Sequence, residues 1–326
     1  MIISRAPVRL SMGGGGTDLP SYYEQFGGFL MAAALNKYVY ININKRFNET
    51  IRLSYNKTEI IHDINKIEHN IFREALKLTK IDKQIEIVSI ADVPAQCGLG
   101  TSSTFTVALL NGLYTYRKVY MDHYKLAELA CDIEINYLKE PIGKQDQYAS
   151  VFGGFNAYWF NKDGSVIVEP VNIKTENLIE LQNNLFLFYL NKERKASSIL
   201  EEQNKKTGTG DKDTIERLHN IKEIGMETRK IFEKGNIDEF GELLNEHWFI
   251  KRKLSDKISD PFIDQVYESA RKNGATGGKV VGAGGGGFLL LYCPKNKGRL
   301  VEAMRNLGLT PMWFSFEQEG VKIIFH

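Results

Sequence analysis

The chain has 326 residues, 43% of them hydrophobic and 25% charged, with a formal net charge of +2. These are the proportions of an ordinary soluble globular protein, long enough for two domains. The near balance of charge leaves no basic excess for nucleic acid or an anionic membrane surface, and no apolar run reaches the length that spans a bilayer.

Residues 4–12 alternate in hydrophobicity as a strand does and end in Gly13-Gly14-Gly15-Gly16-Thr17-Asp18. Four glycines offer no packing surface, so the backbone there is predicted to run close beside something else. Arg9 and Asp18 are the chemically interesting members, although on this segment alone they read as a strand-edge arginine and a helix N-cap. The N-terminal Met1-Ile-Ile-Ser-Arg5 has no signal-peptide core, which predicts a cytoplasmic protein. One or two strands are expected over 30–44, a short strand over 51–55 and a helix over 68–78.

The central stretch is Pro94-Ala-Gln-Cys97-Gly98-Leu99-Gly100-Thr101-Ser102-Ser103-Thr104. It follows an alternating strand pattern, 85–90, and enters residues 105–113, which are apolar at helical spacing. The first N–H groups of such a helix have no internal partner, and its dipole favours an anion there. Gly98 and Gly100 let main chain approach a phosphate, while Thr101, Ser102 and Ser103 add hydroxyl donors. The competing reading is a serine cap and a glycine turn. A Rossmann fingerprint is excluded because Ser103 stands where its third glycine belongs, and no Gly-Lys pair is followed by Ser or Thr as a Walker loop requires. Cys97 has no histidine neighbour in sequence and reads as a small space-filler. The three cysteines and six histidines make no zinc-ligand spacing, and the odd, scattered cysteines fit a reduced compartment.

A helix is predicted over 122–139, with Leu126, Leu129, Ala130, Ile133, Tyr137 and Leu138 on its apolar face and Glu134 at the edge of that face. Pro141 breaks it, and a short helix starts near Gln145-Asp146. Taken singly, Glu134 and Asp146 read as surface carboxylates. Strands follow over 155–160, 165–171 and 185–190, then a polar stretch over 191–210 and helices over 213–235, 237–253 and 261–273. A second glycine cluster, 277–287, leads into a strand over 288–292. A helix (299–307) and a terminal strand pair (312–316 with 321–325) close the chain. A domain boundary is expected between 170 and 190, giving domains 1–175 and 176–326.

Three separated stretches together resemble one family, the GHMP small-molecule kinases. Ala6-Pro7-Val8-Arg9-Leu10 with Thr17-Asp18 is similar to its first motif. Pro94-x3-Gly98-Leu99-Gly100-Thr101-Ser102-Ser103 is similar to its ATP-phosphate loop, with Thr101 where many relatives carry serine. Lys279-Val-Val-Gly282-Ala-Gly284-Gly285-Gly286-Gly287 is similar to its third motif, with an extra glycine and Phe288 where a small residue is usual. Within the family, Met12 to Pro20 and Gly143-Lys144-Gln145-Asp146-Gln147-Tyr148 with Phe152-Gly-Gly-Phe155 most resemble the bacterial heptose 7-phosphate kinase branch.

That resemblance implies an α+β, two-domain fold: an S5-domain-2-like first half and a ferredoxin-like α/β sandwich second half. It implies ATP-dependent, Mg²⁺-assisted phosphorylation of the anomeric hydroxyl of D-glycero-D-manno-heptose 7-phosphate, on the way to nucleotide-activated heptose. It assigns Asp146 and Arg9 to catalysis, Gly98, Leu99, Gly100, Thr101, Ser102 and Ser103 to the ATP phosphates, and Ser102 with Glu134 to the metal. It assigns Gly15, Gly16, Thr17, Asp18, Lys144, Gln145, Arg194, Gly285 and Gly286 to the sugar substrate. The substrate's own phosphate needs cations, for which Lys144, Lys192, Arg194 and Lys195 are the candidates. The expected partners are ATP and a sugar phosphate, with no nucleic acid or membrane; a homodimer is left open. The alternatives are a fucokinase- or galactokinase-like enzyme acting on an unphosphorylated sugar, and a non-catalytic regulator, for which the pairing of Asp146 with Glu134 has no use.

Overall fold

In the computed structural model, which describes residues 1–192 and 197–326, the chain opens with strand β1 (Ile2–Gly13), helix α1 (Pro20–Phe26) and the 18-residue strand β2 (Gly28–Lys45). Strands β3 (Ile51–Ser54) and β4 (Thr58–Ile61), helix α2 (Asn70–Thr79) and strand β5 (Ile85–Ala91) lead to helix α3 (Thr101–Tyr116). Helices α4 (His123–Cys131) and α5 (Gln145–Phe152) precede the antiparallel strands β6 (Phe155–Phe160) and β7 (Val166–Pro170). Then come α6 (Thr175–Asn184), β8 (Leu185–Tyr189), α7 (Ser197–Gly208), α8 (Lys212–Lys234), α9 (Glu239–Lys251) and α10 (Pro261–Lys272). Strands β9 (Gly277–Val280) and β10 (Phe288–Tyr292), helix α11 (Lys297–Asn306) and strands β11 (Thr310–Met312) and β12 (Lys322–Phe325) complete the fold.

An eight-stranded sheet runs β12-β1-β2-β5-β3-β4, with β6 and β7 attached through β2. The length of β2 makes this possible: its residues 28–33 pair with β6 and its residues 39–45 with β5. The register of β1 on β2 shifts between Pro7 and Arg9, at a residue with no N–H to give the ladder, and shifts again between Ser11 and Gly13. Bulges of this kind re-aim side chains, and Arg9 and Ser11 are the side chains concerned. A second, four-stranded antiparallel sheet has the order β11-β8-β10-β9.

The expected terminal strand pair does not form. β11 pairs with β8 in the small sheet, whereas β12 pairs with β1 in the large one. Each strand takes an edge that another part of the chain leaves open, which local alternation cannot reveal. The polar stretch after 191 also holds a helix, α7, whose buried residues Ile199, Gln203 and Thr207 recur at i, i+4 and i+8. Only one of the three is apolar, so the stripe is silent in hydrophobicity.

One core cluster joins the two sheets: Val8, Leu10 and Met12 of β1, Phe29 and Met31 of β2, Leu187 of β8 and Leu290 of β10 pack together. Cys97 and Leu99, from the loop ahead of α3, are fully buried in the same cluster. Two side chains in a shared core therefore anchor that loop. Gly13 and Gly14 are where the first glycine run earns its tight path: a Cβ on Gly13 would lie 3.0 Å from Gly225 Cα, and one on Gly14 2.2 Å from Phe29 O. Half of that run serves the packing of α8 onto β1 and β2.

Candidate active site

Helix α3 begins without a side-chain cap. Its N-cap is Gly100, in the left-handed conformation, and neither Ser102 nor Ser103 turns back to cap it. The first-turn N–H groups are thus free of intrahelical partners, at the positive end of the helix dipole. Gly98, Gly100, Thr101, Ser102 and Ser103 line a cleft of about 610 Å³. The loop is clamped from the far side of the molecule: a Cβ on Gly98 would meet Val281 O at 2.6 Å, and one on Gly282 would meet Gly98 Cα at 2.7 Å. Phe288 N donates to Cys97 O at 3.2 Å. The second and third motifs are therefore two halves of one backbone surface. Leu99 contributes through its main chain, its carbonyl accepting from Arg9 N at 3.1 Å. The Cys97 thiol is buried, and burial pushes its pKa up, as expected of a space-filler.

Asp146, in the first turn of α5, sits against the start of α3; a Cβ at Gly100 would be 3.0 Å from its Cγ. Arg9, 3% exposed, reaches it from β1, with Nε 2.7 Å and Nη2 2.6 Å from Asp146 Oδ1. Its Nη1 donates to Gly98 O at 2.6 Å. One guanidinium thus ties the carboxylate to the loop ahead of α3.

Glu134 is 2% exposed rather than at the edge of a face. The segment Asp132–Tyr137 is a π-helical turn, with Leu138 N donating to Ile133 O. Such a turn changes the angular phase of the helix, which turns Glu134 inward and leaves Tyr137, expected on the apolar face, exposed. Ser102 Oγ donates to Glu134 Oε1 at 3.2 Å, and Gln147 Nε2 to Glu134 Oε2 at 2.7 Å and Ser103 Oγ at 3.1 Å. Burial pushes the Glu134 carboxyl up to about 7, with the Asp146 charge adding to the rise; the Gln147, Ser103 and Ser102 hydrogen bonds oppose it. Among the described residues no lysine or arginine pairs with Glu134, and the buried carboxylate with its neighbouring hydroxyl offers only hard oxygen donors. That set fits Mg²⁺, which takes one or two protein oxygens and completes its shell with phosphates and water. No cluster of three or more His, Cys, Asp or Glu among the described residues could hold a metal ion, so an all-protein cage is not what this site provides.

Gly15, Gly16, Asp18, Gln145 and Gly286 line the same cleft. Asp18 accepts from Gly16 N at 3.0 Å and from Gln145 N at 3.3 Å, and burial, then the Asp146 charge, raise its pKa. Several expected members stand elsewhere. Thr17 is fully buried, its hydroxyl 2.8 Å from both Gly14 O and Phe29 O and accepting from Phe29 N at 3.1 Å, so it shapes the turn and does not reach the cleft. The Lys144 ammonium turns away to Glu128, with both oxygens at 3.0 Å, and to Gly164 O at 2.7 Å. Gly285 N is held by Ile258 O at 2.8 Å, behind the wall that Gly284 and Gly286 form. Lys192 pairs with Asp260. Arg194 and Lys195 lie outside the described residues.

The cleft also holds basic side chains that sequence reasoning did not single out. Lys251 and His247, on α9, and Lys279, on β9, all line it. Lys251 Nζ donates to Val280 O at 2.8 Å and to Gly282 O; Lys279 Nζ donates to Met12 O at 3.1 Å and lies 3.3 Å from His247 Nδ1. The i, i+4 spacing of His247 and Lys251, and the lysine opening the third motif, were the available signals. Neither says that the two elements meet.

Two family models match the chain: GHMP kinases N terminal domain over residues 65–154, and GHMP kinases C terminal over 228–308. The chain is 31% identical to the D-glycero-alpha-D-manno-heptose 7-phosphate kinase of Campylobacter jejuni, over 98% of both chains. It is 25% identical to the galactokinase of Pyrococcus furiosus, over 92% of this chain and 91% of that one. Among solved structures, a D-glycero-D-manno-heptose 1-phosphate kinase from Bacteroides thetaiotaomicron superposes with a TM-score of 0.82 at 28% identity, covering 100% of this chain and 99% of the other.

Proposed function

The chain belongs to the GHMP kinases and is a sugar kinase, and from that premise we propose that it transfers a phosphoryl group from ATP to the anomeric hydroxyl of D-glycero-D-manno-heptose 7-phosphate. The observation that carries this reading is the set of groups around Gly100: Asp146 against the N-cap, Arg9 joining Asp146 to Gly98 O, and Glu134 beside Ser102. The end-to-end similarity to a heptose 7-phosphate kinase supports the choice of sugar. We also divide the chain into domains 1–175 and 176–326, a division that falls at the start of α6, with β12 crossing back into the first sheet.

Phosphoryl transfer depends on positioning and charge stabilisation. The α3 N-terminus and the backbone of the 98–103 loop would cradle the donor phosphates, aided by the Ser103 and Thr101 hydroxyls. Ser102 and Glu134 would hold Mg²⁺, which when bound neutralises charge on the donor phosphates. Asp18 and Gln145 would orient the sugar. Asp146 would accept or orient the proton of the attacking hydroxyl, and Arg9 would keep that carboxylate aimed while stabilising developing charge.

The test is ADP release over a panel of sugars and sugar phosphates, with the product examined by ³¹P NMR. The expected result is a new anomeric phosphate on heptose 7-phosphate, at a kcat/KM at least about 100-fold above galactose, fucose or mannose, the discrimination available to a site built around a polar group. Comparable turnover of unphosphorylated galactose or fucose would overturn the choice of substrate and favour the galactokinase- or fucokinase-like alternative.

A further inference from the structure

The reaction as drawn uses Arg9 but leaves Lys251, Lys279 and His247 without a task. Lys251 is held by carbonyl oxygens and Lys279 by a carbonyl oxygen and His247 Nδ1, and among the described residues neither has a carboxylate partner. Lys279 is 2% exposed. A buried cation without a counter-charge is costly, and the usual remedies are an anion or loss of the proton. Burial, then the Arg9 charge, bring Lys251 down to about 7; burial, then Lys251 and Arg9, hold Lys279 well below its ordinary range. His247, on the same helix as Lys251, is driven neutral by burial and by both lysines.

An independent observation points to the same spot. Ser11 is 94% buried and lines the cleft, and among the described residues its hydroxyl has no hydrogen-bond partner. It lies one residue from Met12, whose carbonyl holds Lys279, and 3.1 Å from where a Cβ on Gly15 would stand. Gly15 in turn leads to Gln145 and so to Asp18 on the sugar wall. Of the expected phosphate-binding cations among the described residues, Lys144 pairs with Glu128 and Lys192 with Asp260.

We propose that Lys251, Lys279 and the Ser11 hydroxyl form a phosphate subsite at the sugar end of the cleft, which takes the phosphate the substrate already carries. This rests on the sugar-phosphate reading above. A dianion supplies the missing counter-charge and an acceptor for Ser11. Its arrival restores protons to the lysines, while neutral His247 remains the polar support for Lys279.

The experiment has two arms. In the first, kcat and KM are measured for heptose 7-phosphate, for the same heptose without its phosphate, and for ATP, in the wild-type protein and in K251M, K279M and K251R. The expected result is a loss of at least about 30-fold in the preference for the phosphorylated sugar in both methionine variants, carried by its KM and largely recovered in K251R. An ATP KM that rises in step would assign the lysines to the nucleotide and overturn the proposal, as would an unaltered preference. In the second arm, inorganic phosphate is titrated calorimetrically at pH 8 in two buffers of different ionisation enthalpy. Wild-type protein is expected to take up protons on binding, and K279M to take up fewer, because only Lys251 is left to recharge. If the wild type shows no preference for the phosphorylated sugar, the substrate reading fails and this arm alone decides the subsite: uptake reduced in K279M keeps it, whereas undiminished uptake in K279M, or no phosphate binding by the wild type, overturns it.

Discussion

Arg9 and Asp146 stand 137 residues apart in sequence, yet two nitrogens of the guanidinium lie 2.6 and 2.7 Å from the same carboxylate oxygen. The third nitrogen holds Gly98 O. The pair thus joins β1, α5 and the phosphate loop at one point. Asp146→Asn keeps the shape and removes the proposed proton acceptor, so kcat is expected to fall by about 10²-fold or more with both KM values within a few-fold of wild type. Steady-state kinetics check this, and unchanged turnover would remove Asp146 from the mechanism.

Arg9→Lys keeps a positive charge but not the planar fork that meets Asp146 and Gly98 O together. A loss of at least about tenfold in kcat/KM is expected, and Arg9→Met should be worse, because it strands the Asp146 carboxylate and frees the loop. Thermal unfolding in parallel separates misfolding from lost chemistry. Activity in Arg9→Lys equal to wild type would mean that charge alone suffices.

Gly282 has a φ of +69°, and a Cβ there would stand 2.7 Å from Gly98 Cα, main chain against main chain. Gly282→Ala is expected to destabilise the protein by about 1–3 kcal/mol, the usual size of backbone strain, and to raise the ATP KM several-fold by pushing the phosphate loop off its support. Calorimetric unfolding and nucleotide titration give both readings. A variant with normal ATP affinity would show that the two glycine motifs act separately.

Glu134→Gln is isosteric and retains a partner for Gln147 and Ser102. Activity should fall by about 10²-fold or more at ordinary Mg²⁺ concentrations. Mg²⁺ should raise the affinity for a non-hydrolysable ATP analogue in the wild type and do so far less in the variant. Equal Mg²⁺ enhancement in both proteins would place the metal elsewhere.

Lys251 carries a pH signature of its own. Its pKa is lowered to about 7 in the folded chain from an ordinary 10.5, with Arg9 from β1, Lys279 from β9 and His247 on α9 as its charged or titratable surroundings. Between those two values the unfolded chain binds the extra proton, so wild-type stability gains as pH rises from about 7 towards 10, by at most about 1.4 kcal/mol per unit. Below pH 7 the full penalty applies. Melting temperatures of wild type and K251M across pH 6–9.5 should therefore diverge in favour of the wild type as pH rises; parallel curves would mean that Lys251 titrates normally.

The residues along the chain announced the glycine-bearing loop at 98–103, the strand and helix around it and the three later helices, because turns, helix starts and strand alternation are written in neighbouring residues. Arg9, Asp146 and Glu134 stood out only through the resemblance to a family, since singly they read as an edge arginine and surface carboxylates. Packing decided the rest. The π-helical turn that buries Glu134, the pairing of Lys144 with Glu128, the approach of Gly282 to Gly98 and the return of β12 to β1 all join segments that carry no mark of one another. The same holds for the two lysines. A lysine reads alike in sequence whether solvent, a carboxylate or nothing faces its ammonium, and only the folded chain determines which of these Lys251 and Lys279 meet.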